Sequence, residues 1–422
     1  MKSSIKKTVV LSVFMAIFFY TACAAPVSTG SGSGTGEKGS TYTYTEVSAT
    51  DYENMEAQQL IKLMGNGINL GNTMEATGPW MGYNQKDASQ YETAWGQPKT
   101  TKAMFEAMKK AGFDSVRIPV AWTHTMDWAN GDFEINQNYL ERVAQVVNWA
   151  LDSDLYVMIN DHWDYQWWGL FSHDEELAFK IYKEMWTQVG EYFKDYSYKL
   201  IFEGGNEELG DRFNDTVDSK VDSRLKTVNY SSRGNLMQAD CYKMLTKVTQ
   251  LFVDIIRSQG GNNEKRFLLI PGYDTDIGRT TDSRYVMPND SKNKVQKLII
   301  SVHYYTPSTY CILSENASWG RVRNSWGTQA DYTTMKNDFK KMTKFTDAGY
   351  GVIIGEYGVA QKKENGSYTK KEGMEKWLTA VLDNCDEYNY CPFLWDCNTF
   401  FKKTGTLGFT DPDVAAVYNN RK

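Results

Sequence analysis

From Asp51 onward the chain repeats one pattern: a short, unbroken apolar run, then a longer stretch with apolar residues three and four apart. The runs read GINLG (67–71), SVRIPV (115–120), LYVMIND (155–161), KLIFEGG (199–205), RFLLIPG (266–272), KLIISVHYY (297–305), GVIIGEYG (351–358) and CPFLWDC (391–397). They have strand length and do not alternate apolar with polar, as expected of strands covered on both faces. The stretches between them carry the helical period. Leu140, Val143, Val147 and Ala150 fall on one helical face, and Phe105, Met108 and Phe113 follow the spacing less strictly. Eight strand–helix units over residues 51–422 predict a single (β/α)8 TIM barrel with loop insertions. The rival, an open doubly wound sheet, would announce a nucleotide site by a Gly-rich turn opening a helix, and none of the helical stretches is opened by one.

The first 50 residues break the pattern. Lys2, Lys6 and Lys7 precede an apolar stretch from Val9 to Tyr20, too short to span a bilayer comfortably, and small residues follow. Residues 1–24 therefore read as a secretory signal peptide. Two endings compete. YTAC resembles a lipoprotein box with Cys23 as the lipidated residue, although Tyr20 stands where Leu is usual; Ala22-Cys23-Ala24 also fits an ordinary small-x-small cleavage site. Residues 25–50 include STGSGSGTGEKGSTYT (28–43), a Gly/Ser/Thr tether that cannot build a core. An exported protein is expected, either held at the cell surface through lipid on Cys23 or secreted.

Composition narrows the partners. The net charge of −6 argues against nucleic acid or an anionic bilayer as the main partner. Aromatic residues reach 14%, with 13 Trp and 27 Tyr; their flat apolar faces and polar edges suit both a core, where most of them belong, and a sugar-stacking cleft. Apart from Cys23 there are Cys241, Cys311, Cys385, Cys391 and Cys397, an odd set without zinc spacing, so no disulfide pairing is assigned.

In a barrel the active site gathers at the carboxyl ends of the strands. The residues there are Asn69, Asn72, Arg117, Trp122, Asp161, His162, Asn206, Glu207, His303, Tyr305, Glu356, Tyr357, Trp395 and Asp396. Glu207 after the fourth strand and Glu356 after the seventh can face each other across the barrel mouth. Two carboxyls flanking one bond are what glycoside hydrolysis needs, one protonated to help the leaving oxygen depart and one ionised to attack the sugar. Arg117 is a natural partner to keep Glu356 ionised, Asn206 can bond a sugar hydroxyl, and His303 and Tyr305 share one side of their strand. Glu203, inside its strand, should pair within the barrel, and Glu208 should turn to the rim. Trp80, Trp167, Trp168, Phe171 and Trp395 are candidates for sugar stacking.

The segments GINLGNTMEA, YETAWGQP, AGFDSVRIPVAW, FEGGNEE, SVHYYTP, IIGEYG and LWDCN, in this order from about Gly67 to about Asn398, resemble glycoside hydrolase family 5, and within it subfamily 4. The resemblance implies a retaining endo-β-1,4-glucanase that needs no metal or cofactor and acts on cellulose derivatives, mixed-linkage β-glucan or xyloglucan. It implies Glu207 as acid/base and Glu356 as nucleophile, with Arg117, His162, Asn206, His303, Tyr305 and Trp395 around them. Two positions depart from the family's pattern. Glu208 replaces the usual proline after the acid/base, where its charge could raise the pKa of Glu207. Trp163 replaces the second histidine of the usual His-His-Asp at the third strand. A xylanase or mannanase of the same architecture is the alternative within glycosidases. A catalytically inactive carbohydrate-binding surface lipoprotein is the alternative of another class. Neither reading calls for a protein partner.

Overall fold

The computed structural model describes residues 49–76, 81, 85–128, 131–164, 167–217, 232–419 and 421. The expected signal peptide (residues 1–24), Cys23, most of the expected tether (25–50) and Trp80 lie outside the described residues. Eight parallel strands close a barrel: β1 (Gly67–Asn69), β2 (Ser115–Ile118), β3 (Tyr156–Asn160), β4 (Leu200–Glu203), β5 (Leu268–Pro271), β6 (Leu298–Tyr304), β7 (Gly351–Tyr357) and β8 (Tyr390–Leu394). Each pairs with the next in sequence, and β8 closes on β1 through Gly67↔Phe393 and Ile68↔Leu394. Every residue of all eight strands is buried, which is why the sequence runs do not alternate.

The helices form as the spacing predicts. Leu140, Val143, Val147 and Ala150 are buried on the helix Gln137–Asp152. Asn136 caps it, its side chain accepting from the Tyr139 amide at 3.1 Å. Phe105 and Met108 are buried on Lys102–Lys110, but Phe113 lies past that helix and packs on Phe409 and Tyr418 of the C-terminal segment. Among the described residues no helix is long and apolar enough to cross a membrane.

The helices Ala49–Asn54 and Ala57–Met64 plug the amino-terminal end of the barrel. Tyr52, Leu60, Ile61 and Met64 join Ile201, Leu269, Ile299 and Ile353 in one apolar cluster. Lys297, just before β6, clips the plug by donating to the carbonyls of Tyr52 (2.5 Å) and Met55 (2.8 Å). With that end filled, the opposite end is free to carry polar chemistry. The five cysteines of the body are free thiols, four of them buried.

Candidate active site

Arg117 sits on β2 with no exposed side-chain surface, and a buried guanidinium needs acceptors around its whole fork. It finds them on three other strands and one loop. Nε donates to Glu203 Oε2 at 2.6 Å, Nη1 to Asn69 Oδ1 at 3.0 Å and Glu356 Oε1 at 2.9 Å, and Nη2 to Asn206 Oδ1 at 2.9 Å. The register makes this possible: Asn69 is level with Arg117, and Asn160 with Glu203.

Glu356 is almost as deeply buried, its side chain 3% exposed. Its second oxygen accepts from the Tyr305 hydroxyl at 3.0 Å. Glu207 is different. It follows β4 rather than lying within it, and 34% of its side chain is exposed. Its Oε1 lies 2.8 Å from His303 Nδ1, which is itself 3.6 Å from Glu356 Oε2. A register shift between Val302 and His303 sets His303 level with Glu356 on the neighbouring strand. Glu207, His303 and Glu356 thus bring one side-chain atom each within 4.8 Å of one another.

Burial raises both carboxyls above the ordinary range. For Glu356 this is opposed by His303 and Arg117, and Glu207 adds to it. For Glu207 it is opposed by Arg212 and Arg117. His303 is pushed down to about 4, chiefly by burial, so its ring is neutral near pH 7. His162 is likewise held well below its usual value by burial and by Arg117. Asn160 accepts from the Val120 amide at 3.2 Å through Oδ1, so its Nδ2 donates to His162 Nδ1 at 3.2 Å. That leaves the His162 proton on Nε2, 3.9 Å from Glu356 Oε1.

With this geometry in place, comparison with known proteins is decisive. The family model described as "Cellulase (glycosyl hydrolase family 5)" matches residues 74–400. The chain belongs to glycosyl hydrolase family 5. Endoglucanase A of Paenibacillus barcinonensis is 32% identical over 375 residues, covering 83% of this chain and 85% of that protein. Among solved structures, a variant of the glycoside hydrolase 5 lichenase from Caldicellulosiruptor sp. F32, in complex with cellotetraose, superposes with a TM-score of 0.72 at 30% identity, covering 87% of this chain and 96% of the other. A GH5-4 broad-specificity endoglucanase from an uncultured bovine rumen ciliate gives 0.68 at 27% identity, covering 87% and 98%. This family 5 chain is a glycoside hydrolase, with an endo-β-1,4-glucanase activity on β-glucans.

The family 5 site gathers most of the residues expected from the strand ends, and corrects others. Arg117, His303, Tyr305 and His162 lie against Glu356 or Glu207, and Asn206 joins them through Arg117. Trp395 is half-buried and stacks on His162, the ring centroids 5.7 Å apart and the planes 9° from parallel. Asn72 lies beside it: the preceding Gly71 packs against the Trp395 ring, and Glu75 accepts the Asn72 amide. Glu203 pairs inside the barrel as expected.

Trp168 does not reach a cleft. It is 1% exposed and stacked on Trp167 at 4.4 Å, with Phe171 and Tyr182 packed around it. Trp167 and Phe171 are buried in the same cluster, so this ring-dense loop is core. Glu208 does not turn to the rim. It is 1% exposed, and Arg212 Nη1 donates to its Oε1 at 3.2 Å. Three strand-end residues also serve structure. Trp122 donates to the Asn160 carbonyl at 2.7 Å, Tyr357 meets the Tyr418 hydroxyl at 2.7 Å, and Asp396 accepts from the amides of residues 398–401.

A second group of acids, Glu375, Asp411 and Asp413, lies on the surface with Lys370 among them, 3.0 Å from Asp411 and 2.7 Å from Asp413. Sequence reasoning missed Arg212, which lies on a short turn four residues after Glu208. Nothing in its local sequence separates it from any other surface arginine.

Proposed function

We propose that this chain is a retaining endo-β-1,4-glucanase working by double displacement, with Glu356 as nucleophile and Glu207 as acid/base. One observation carries the reading: two carboxylates, with oxygens within 4.8 Å of each other, sit in unequal environments. Retaining glycosidases hold their carboxyls roughly 5–5.5 Å apart, and inverting ones wider, to admit a water. Glu356 accepts from a guanidinium and a phenol, both of which favour its charged form. Glu207 has one neutral imidazole as partner and more contact with solvent, so the single proton of the pair belongs on Glu207.

In the first step Glu356 attacks the anomeric carbon, the glycosidic C–O bond breaks, and the Glu207 proton passes to the leaving oxygen. In the second, the Glu207 carboxylate takes a proton from water, whose oxygen displaces Glu356 and frees the sugar with its β configuration. His303 holds Glu207 in line, and Tyr305 and Arg117, each on a different oxygen, fix the Glu356 carboxylate. In this reading the Trp395 face, Asn206 and Asn72 contact the sugar. The two carboxylates balance the reaction without a metal or cofactor. The substrates proposed are cellulose derivatives, mixed-linkage β-glucan and xyloglucan, acted on outside the cell, with export through the signal peptide and attachment through lipid on Cys23.

Product profiles on carboxymethylcellulose, mixed-linkage β-glucan, xyloglucan, xylan and mannan test the substrate class. Proton NMR of the first product tests the mechanism, and an α anomer at early times would refute retention. Preferred cleavage of xylan or mannan would favour the alternative hydrolases. No cleavage of any would leave a carbohydrate-binding protein.

A further inference from the structure

The two places where the sequence departs from the family's pattern, Glu208 and Trp163, meet at one residue. The Arg212 guanidinium lies over the Trp163 ring, 4.5 Å from its centroid, and donates to Glu208 at 3.2 Å and to Asp215 Oδ2 at 2.8 Å. Glu208 is buried directly after Glu207, and its Oε2 has no hydrogen-bond partner among the described residues. A buried carboxyl with one cationic neighbour and a second carboxyl adjacent in the chain is a coupled titrating system.

We propose that Glu208 is a positioning residue for Glu207, coupled to it through Arg212, and that its charge state sets how tightly Glu207 holds the catalytic proton. The proposal rests on the reading of Glu207 as acid/base. Glu207 is faced by Arg117 from β2, His303 and Tyr305 from β6 and the loop after it, Glu356 from β7, and Glu208 and Arg212 from its own loop. Glu208 is faced by Arg212 and Glu207 and, from the end of β3, by Asp161, whose charge also meets that of Asp164.

Burial pushes Glu208 up to about 7, opposed by Arg212 and aided by Glu207. Below that pH Glu208 is neutral, and Arg212, with Asp215 as its remaining anionic partner, favours the Glu207 carboxylate. Above it, ionised Glu208 adds to Asp215 in offsetting Arg212 and repels the Glu207 carboxylate, so Glu207 holds its proton more strongly. The proton donor therefore stays loaded to a higher pH than a proline at position 208 would allow.

The test is a carbon-13 NMR titration of the full chain carrying side-chain carboxyl-labelled glutamate, with the Glu207 signal assigned by its loss in Glu207→Gln. Wild type should show Glu207 titrating in two steps. Glu208→Gln should show one step, lower by roughly half a unit to one unit for the loss of a nearby charge. Arg212→Gln, which removes the cation and drives Glu208 neutral, should show one step above that of Glu208→Gln. The activity arm uses aryl β-cellobiosides. The alkaline limb of kcat/KM should move down in Glu208→Gln with a poor leaving group and stay in place with dinitrophenol, which needs no proton.

Identical Glu207 titrations in wild type and Glu208→Gln would overturn the proposal. So would a uniform fall in kcat/KM with no shift of the limb, the mark of a merely structural role. If Glu208→Gln does not fold, a two-step titration surviving in Arg212→Gln overturns it. The reading of Glu207 itself fails separately, if Glu207→Ala keeps full activity on poor leaving groups.

Discussion

Arg117 Nη1 lies 2.9 Å from Glu356 Oε1, and neither side chain has meaningful contact with water. The pair belongs to a larger balance, because the same guanidinium also carries Glu203 at 2.6 Å. Two buried carboxylates thus depend on one cation. Removing one partner of such a buried pair costs about 3–5 kcal/mol, since the remaining charges lose their compensation.

Arg117→Met should therefore lower stability by about that amount and also disable Glu356, the proposed nucleophile. Without its cation Glu356 binds a proton more tightly, so the acidic limb of the pH–rate profile moves to higher pH. Arg117→Lys keeps a charge but cannot span Glu203, Asn69, Glu356 and Asn206 together. It should retain more stability than the Met variant and still lose at least about 100-fold in kcat/KM, the order seen when a positioned group is displaced by an ångström. Urea denaturation and kcat/KM measured from pH 4 to 8 check both.

Glu207 and Glu356 should fail in distinguishable ways. Glu356→Ala cannot form a glycosyl-enzyme, so activity collapses on every substrate, and azide with an activated glycoside gives a product of inverted configuration. Glu207→Ala keeps its attack on good leaving groups but accumulates the covalent intermediate for want of a base. Azide relieves that block with retained configuration, since it needs no deprotonation. Mass spectrometry of the trapped enzyme and NMR of the azide products separate the two. Selective loss on poor leaving groups in Glu208→Ala, and not in Glu207→Ala, would place the acid one residue away.

Stability should fall as the pH rises through neutrality. Burial pushes Glu75 up to about 7, against the hydrogen bonds it accepts from the Asn72 and Thr73 amides and the pull of Lys403. A carboxyl that holds its proton more tightly when folded favours the folded state below its unfolded pKa. It loses that contribution as the pH climbs through the folded value. Wild-type Tm should decline between about pH 5 and 8 on this account, by a few degrees for each buried acid of this kind. Glu75→Gln, which cannot ionise, should flatten the curve over the same window whatever its absolute stability. Thermal unfolding followed by circular dichroism at half-unit intervals checks the slope. Equal slopes for the two proteins would show that Glu75 does not titrate in that range.

The barrel was legible because each of its strands is an apolar run with polar residues at one end, and each main helix keeps a three-four spacing. The proposed catalytic pair was legible for the same reason: Glu207 and Glu356 stand where a strand buried on both faces has no other use for a carboxylate. What the sequence concealed was direction. Trp168 and Trp395 look equally suited to stacking on a sugar, but one points under Gly205 into a ring cluster and the other lies over His162. Glu208 looked like a rim residue because a charge after a strand end usually finds water. Arg212, brought in by the following turn, gives it a partner inside instead. Such choices depend on loop geometry, which carries no periodic signal.

The contrast between the two tryptophans yields the last prediction. Trp168 is wholly buried among Trp167, Phe171 and Tyr182, beneath the loop that carries Glu207, and the Tyr182 hydroxyl donates to the Gly204 carbonyl in the same place at 2.5 Å. Trp168→Ala removes a large core ring and should cost about 3–5 kcal/mol of stability, the range for aromatic truncation in a core. Any loss of activity should follow the loss of folded protein and the loosening of Glu207. Trp395 is half-buried, with one face on His162, so truncating it opens less of a cavity. Trp395→Ala should cost clearly less stability but raise KM for cello-oligosaccharides roughly tenfold, the value of one stacking contact of about 1.5 kcal/mol. Trp395→Phe, which keeps a smaller ring, should recover part of that loss. Denaturation midpoints and KM measured together on the three variants decide it, and a KM effect larger for Trp168→Ala than for Trp395→Ala would reverse the assignment of the two rings.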